Sequence, residues 1–240
     1  MNETFAMNNT SAYESNLHLH NALPVLNVHA LLKEGTRALH SQLDHHPLVK
    51  PLLNIEATPH DMALSLSGFL HAYSALDGAG IPQRWRLLNV GYQERFFCDW
   101  LRADIRMLCG NRNILMQMDT SAELLNLKSE AELFGSLYVI LGSAMGAVRI
   151  ANILAQSPHF SIREVGFFKQ LALSSTCFRV LMTQLQYRIT TASEANEVLQ
   201  GAVNTFNLFI QSFDSVFDES SASSNVAAYS LLNAPMPTIK

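Results

Sequence analysis

The apolar positions of this chain recur at the period of a helix. From Val28 to Asp44, the residues Val28, Leu31, Leu32, Leu39 and Leu43 stand three, four, seven or eight apart in most pairs, and Pro47 follows where the stripe ends. A second stripe, Met62, Leu66, Phe69, Leu70 and Tyr73, opens on Thr58-Pro59-His60-Asp61. Thr58 suits an N-cap, Pro59 the first turn, and Asp61 the positive end of the helix dipole. A third helix is predicted from about Tyr92 to Leu108, with Phe97, Leu101, Ile105 and Leu108 on one face. Ser129-Glu130-Ala131-Glu132 has capping-box spacing and starts a fourth, which runs to about Gln156. Ser161-Ile162-Arg163-Glu164 repeats that signal for a short fifth helix. A sixth covers about Ser174 to Ile189, with Phe178, Leu181, Leu185 and Ile189 inward. The last covers Ser193 to Phe217, with Val198, Ala202, Phe206, Phe209 and Phe213 inward. Strand-like alternation is scarce, so the expected class is an all-α, single-domain helical bundle.

Both ends lose this period. Residues 1–25 are rich in Asn, Ser and Thr and read as a polar N-terminal extension; 26–218 form the expected domain; 219–240, with the SSASSN run, Pro235 and Pro237, read as a C-terminal tail. With 240 residues, 48% of them hydrophobic, the chain can bury one sizeable core. A net charge of -4 with only 15% charged residues argues against a nucleic-acid partner. The three cysteines show no CxxC spacing and make neither a disulfide framework nor a zinc site, which favours a reducing compartment. The most apolar run, Leu137 to Leu154, is interrupted by Arg149 and contains two glycines, so it reads as a buried helix rather than a membrane span. The polar beginning of the chain lacks the basic and apolar regions of a secretory signal. A cytoplasmic, soluble protein is expected.

Two features exceed what a plain bundle needs. Gly135, Gly142 and Gly146 stand seven and then four residues apart. At 100° per residue those offsets return to within about 20° of one direction, so the three share a face. Each glycine in a helix interior costs about 1 kcal/mol relative to alanine. Either close helix packing or the approach of something flat and bulky to bare backbone would account for them. The second feature is KEGTRALHSQLDHH, in which Lys33 and His40 share a face beside Leu39 and Leu43. His40 is open to two readings, a satisfied core histidine or a metal ligand. His45 and His46 abut Pro47 and are expected to be solvated, and Asp104 is expected on a solvated helix face. The chain contains no ExxH or HExxH motif, no phosphate or dinucleotide loop and no GxSxG elbow.

Beyond these features, the sequence resembles the biliverdin-producing haem oxygenases, most closely the bacterial branch that includes bacteriophytochrome-associated members. The segments that carry the resemblance are LLKEGTRALHSQLDHHPLVKPLL, FFCDWLRADIRML, GSLYVILGSAMGAVRIANIL, GFFKQL and the Phe206-containing helix, in that order over roughly residues 28–217. The resemblance implies an all-α domain that sandwiches haem between a proximal and a distal helix. His40, in Thr36-Arg37-Ala38-Leu39-His40, is then the axial iron ligand. Gly142 and Gly146 match the distal glycines, and any Cβ there would clash with haem and bound O2. Ser143 lies where some members carry an acidic residue that orders distal water. Lys33 and Arg179 are the candidate cations for the haem propionates, and Phe206 packs at the haem edge. Many bacterial relatives have Glu-Gly-Ser where this chain has Leu141-Gly142-Ser143, so a distal carboxylate is missing.

The implied reaction opens haem, at once substrate and cofactor, to biliverdin, CO and ferrous iron with O2 and electrons. The α-meso isomer is the default product. With no flavin or nicotinamide motif in the chain, electrons come from a ferredoxin, a flavoprotein reductase or ascorbate. A bacteriophytochrome is a candidate acceptor of the biliverdin. Two other readings stay open at this point: a non-catalytic haem carrier on the same fold, and an unrelated packing module in which the glycines serve helix contact alone.

Overall fold

The computed structural model describes residues 26–93, 96–109, 125–159 and 166–232, with side chains to residue 222. The helices run in the order α1 (Val28–Gly35), α2 (Arg37–Asp44), α3 (Pro59–Gly78), α4 (Ile81–Arg86), α5 (Phe97–Cys109), α6 (Glu130–Leu154), α7 (Gly166–Ala172), α8 (Cys177–Arg188) and α9 (Ala192–Leu232). Two 3-10 turns, Lys50–Leu53 and Leu173–Thr176, join them, and no strand occurs among the described residues. The expected all-α class is what the chain adopts.

The first predicted helix is present but bent. Its ladder continues across Thr36, with Thr36 N–H donating to Leu32 O at 3.0 Å and His40 N–H to Thr36 O at 2.9 Å. Thr36 Oγ1 also donates to Leu32 O at 2.8 Å, and such back-bonding bends a helix. The Ser129–Glu132 capping box on α6 forms as its spacing predicts, and Thr58 caps α3 as expected, with Asp61 completing a second capping box beyond the dipole role read for it. The third predicted helix starts later than the pattern implied, at Phe97. Asn89 and Gly91 take left-handed backbone angles (φ of 57° and 76°) just before it, and Tyr92 is buried outside any helix. The short α4, which no period announced, buries Trp85 completely. The Ser161–Glu164 signal lies outside the described residues, although a helix, α7, follows it. The last helix continues past Phe217 to Leu232.

The core centres on α6 and α9, which cross backbone against backbone. A Cβ on Gly135 would lie 1.8 Å from Val198 O, and one on Gly201 would lie 2.0 Å from Glu132 O. Around this crossing, Phe69, Tyr73, Phe97, Phe167 and Phe209 make edge and tilted ring contacts at 4.9–6.1 Å. By length and composition α6 could span a membrane. Its first half is instead packed in the core, with Phe134, Leu137, Ile140 and Leu141 fully buried.

Two expectations are corrected here. Asp104 is buried rather than on a solvated face, and it accepts from Phe167 N–H of α7 at 2.7 Å. Burial raises its carboxyl above the ordinary 3.8, while the backbone N–H groups of Phe167 and Gly166 oppose the rise. A raised folded-state pKa makes stability grow as pH falls through the window between that value and 3.8. Asp104→Asn keeps an acceptor and should remove that pH dependence, read by urea unfolding across the carboxylate range. Asp104→Leu should cost about 1–3 kcal/mol through the stranded Phe167 N–H. Equal pH slopes in Asp104→Asn and the parent would contradict this assignment. His46 is also buried, unlike the exposed His45. Its Nδ1 accepts from Leu48 N–H at 3.1 Å, so Nε2 carries the proton and faces Asp214 Oδ1 at 3.3 Å on α9. Phe213 and Phe217 enclose the ring.

Candidate functional site

The residues singled out in the sequence divide between two faces that converge on α9. His40 projects from α2, which packs on α9, and its ring lies 5.9 Å from that of Phe206 in an edge contact. Its side chain is 64% exposed, so it is no satisfied core histidine. Nδ1 stands 2.9 Å from Asp44 Oδ2, one helical turn on. A carboxylate only accepts, so Nδ1 carries a proton toward Asp44, and metal binding would use the remaining nitrogen, Nε2. Nε2 has no partner among the described residues. Asp44 was not among the residues picked out from the sequence; the i,i+4 spacing of His40 and Asp44 was the signal that could have found it.

The other face is the second half of α6. Its three aligned glycines do different work. Gly135 is consumed by the crossing with α9, which is helix packing. A Cβ on Gly142 would touch only Phe178 Cε2, at 3.9 Å, and one on Gly146 would meet nothing within 4 Å. Beyond the crossing, therefore, α6 leaves main chain bare toward open space. Ser143 lies on this stretch, exposed, with its hydroxyl donating to Ile140 O at 2.7 Å. The α2 and α6 helices each pack on α9.

Lys33 and Arg179 are both exposed and pair with no carboxylate among the described residues. They stand on α1 and α8, which pack together. Arg179 lines a cleft of about 460 Å³ with Asn27, Val28, His29 and the α8 residues Met182 and Thr183; Lys33 is outside it. Among the described residues, no three His, Cys, Asp or Glu side chains gather as metal ligands. What the site offers a metal is a single imidazole, which fits an iron that brings its own equatorial ligands.

One buried group beside the glycine face was missed from the sequence. Tyr73 of α3, entered there only as a core position, is fully buried with its hydroxyl close to Ser143 of α6. Burial holds that hydroxyl well above its ordinary pKa of 10.0, so it stays a donor.

The architecture is an all-α bundle in which an exposed imidazole and a stretch of bare helix are mounted on a common third helix. The chain belongs to the haem oxygenase family: the family described as "Heme oxygenase" matches residues 26–215. Among solved structures it is similar to "heme oxygenase-1 from cyanobacterium Synechocystis sp. PCC6803 in complex with heme", at 15% identity and a TM-score of 0.62, over 87% of this chain and 100% of that one. At that identity the likeness speaks for the fold. Comparison with curated protein sequences gives no match.

Proposed function

We propose that this protein is a haem oxygenase enzyme that opens haem to biliverdin, CO and ferrous iron, using O2 and electrons from outside the chain. The observation that carries the reading is that α9 mounts both α2, with His40 Nε2 free and Nδ1 held by Asp44, and α6, with its bare backbone at Gly142 and Gly146. The family assignment and the haem in the similar cyanobacterial structure support it. Bound haem would supply the iron centre that activates O2 and, in its own ring, the carbon that is oxidised.

The chain's residues orient and protect that chemistry. Asp44 fixes the tautomer and ring plane of His40 and makes Nε2 a better donor toward iron. Phe206 closes the edge beside the imidazole. Gly142 and Gly146 let a flat ring approach the main chain, and Ser143 holds water on that side. Lys33 and Arg179, uncommitted to carboxylates, suit the propionates at the rim. Electrons come from a ferredoxin, a flavoprotein reductase or ascorbate. The setting is cytoplasmic, and a bacteriophytochrome is a fitting acceptor of the product.

A haem carrier is the second reading, favoured by the neutral Leu141 and Ser143 on the distal helix. Hemin titration followed by ascorbate, with catalase present, separates the two. The enzyme shifts the Soret band on binding, then loses it as broad biliverdin absorption grows. A carrier keeps its Soret band, and a protein that produces no Soret shift at all defeats both readings.

A further inference from the structure

Between the end of α3, α4 and the start of α5 lies a cavity of about 200 Å³. Five of the eight residues that line it are aromatic: Tyr73, Trp85, Tyr92, Phe96 and Phe97. Phe96 is exposed, as is Asp77, the one charged residue of the lining, whereas the other four rings belong to the buried core. The exposed side chains therefore mark the opening. Left-handed backbone at Asn89 and Gly91 turns the connection between α4 and α5 back, and Tyr92 meets Trp85 with ring centroids 5.5 Å apart and planes at 84°. Tyr73 and Phe97 meet at 4.9 Å and 54°. Rings set across one another close a rounded pocket rather than a parallel slot.

Packed interiors hold few voids larger than a water molecule, so a space of this size among large rings calls for a guest. It is smaller than the roughly 300–1,000 Å³ of sites for drug-sized ligands, so the guest is small. Its charge follows from the walls. Ring faces carry negative potential and attract a cation within about 6 Å of the centroid. Asp77 adds a negative charge at the opening, and no Lys, Arg or His lines the cavity. Arg84, on the same short helix as Trp85, is turned to Leu127 O at 2.7 Å. An anion meets repulsion here, and a neutral apolar guest gains nothing from Asp77. We propose that this cavity binds a small alkylammonium cation, with the aromatic side chains as its walls and Asp77 as its counter-ion. The site does not depend on the haem chemistry and is tested on the haem-free full chain.

Choline is the probe, and 3,3-dimethyl-1-butanol, the same shape without the charge, is its control. Ring currents should move the N-methyl proton signal of choline upfield, saturably and at constant ionic strength. Its affinity should exceed that of the alcohol about 10-fold or more. The chain has two tryptophans, so Trp100→Phe leaves Trp85 alone, and its fluorescence should change with the same midpoint. Phe96→Ala and Asp77→Asn alter exposed side chains, so both should fold, and each should weaken choline binding about 3-fold or more. Equal affinity for choline and the alcohol, or no saturable shift, overturns the proposal. So does choline binding that both variants leave unchanged, since the cation then sits elsewhere. A peptide bearing trimethyllysine separates the two sources of such a cation. Tighter binding than choline assigns a side chain of a partner protein, and equal or weaker binding assigns a free small molecule; either supports the site.

Discussion

His40→Ala should leave the fold intact and abolish the imidazole signature of bound haem. The side chain is mostly exposed and supports little packing beyond the edge contact with Phe206, so thermal unfolding should be nearly unchanged. The haem spectrum should move to that of a non-imidazole species, and turnover should fall by more than the 10–100-fold typical of losing an orienting partner. Free imidazole should restore part of both, because the cavity left by the side chain opens to solvent. An unchanged spectrum would mean that another residue holds the iron.

Asp44 grades the same result. Asp44→Ala should lower ferric haem affinity by about 10–100-fold, while Asp44→Asn, which keeps an acceptor for Nδ1–H, should fall between it and the parent. A loss in Asp44→Ala with none in His40→Ala would show that the carboxylate acts by a route other than the imidazole.

The parts of this molecule that were legible in the sequence are those governed by local rules. Long amphipathic periods gave the class and most of the helices, and the Thr58-Pro59 N-cap and the Ser129 capping box marked two helix starts to the residue. The short α4 carries no period, because Trp85 is buried by α3 and Tyr92 rather than by its own neighbours. His46 looked solvated beside Pro47, but the chain turns back there and sets the ring against Asp214, 168 residues away. Asp104 looked like surface, yet its partner is the N–H of Phe167, 63 residues on. Tyr73 was assigned to the core by its period and is buried there, but nothing local reveals that its hydroxyl meets Ser143 on another helix. At the site, His40, Gly142 and Gly146 stood out by residue type and spacing. What the sequence alone left undivided was the glycine line, since the divergence of α6 from α9 depends on the packing of the whole bundle.

That division predicts opposite outcomes for one substitution at two places on one helix. Gly135→Ala drives a Cβ to 1.8 Å from Val198 O and 2.7 Å from Ala202 N, atoms of helical main chain that cannot rotate aside. The two central helices must part, and the cost should reach roughly 3 kcal/mol even after alanine's gain of about 1 kcal/mol in helix propensity. For a chain of this size that is a drop of about 10 °C in Tm. Gly201→Ala should behave alike, its Cβ falling 2.0 Å from Glu132 O. Gly146→Ala meets nothing and should raise stability by about 0.5–1 kcal/mol. Such a stability gain left unused in the native chain is expected where a bare backbone serves a ligand. Gly142→Leu and Gly146→Leu should accordingly fold, unlike Gly135→Leu, and yet bind hemin weakly and turn over little, because their side chains fill the space a flat ring needs. Calorimetry and hemin titration on these six variants decide it. Full haem binding and turnover in Gly146→Leu would mean that the open face of α6 is not where the macrocycle sits.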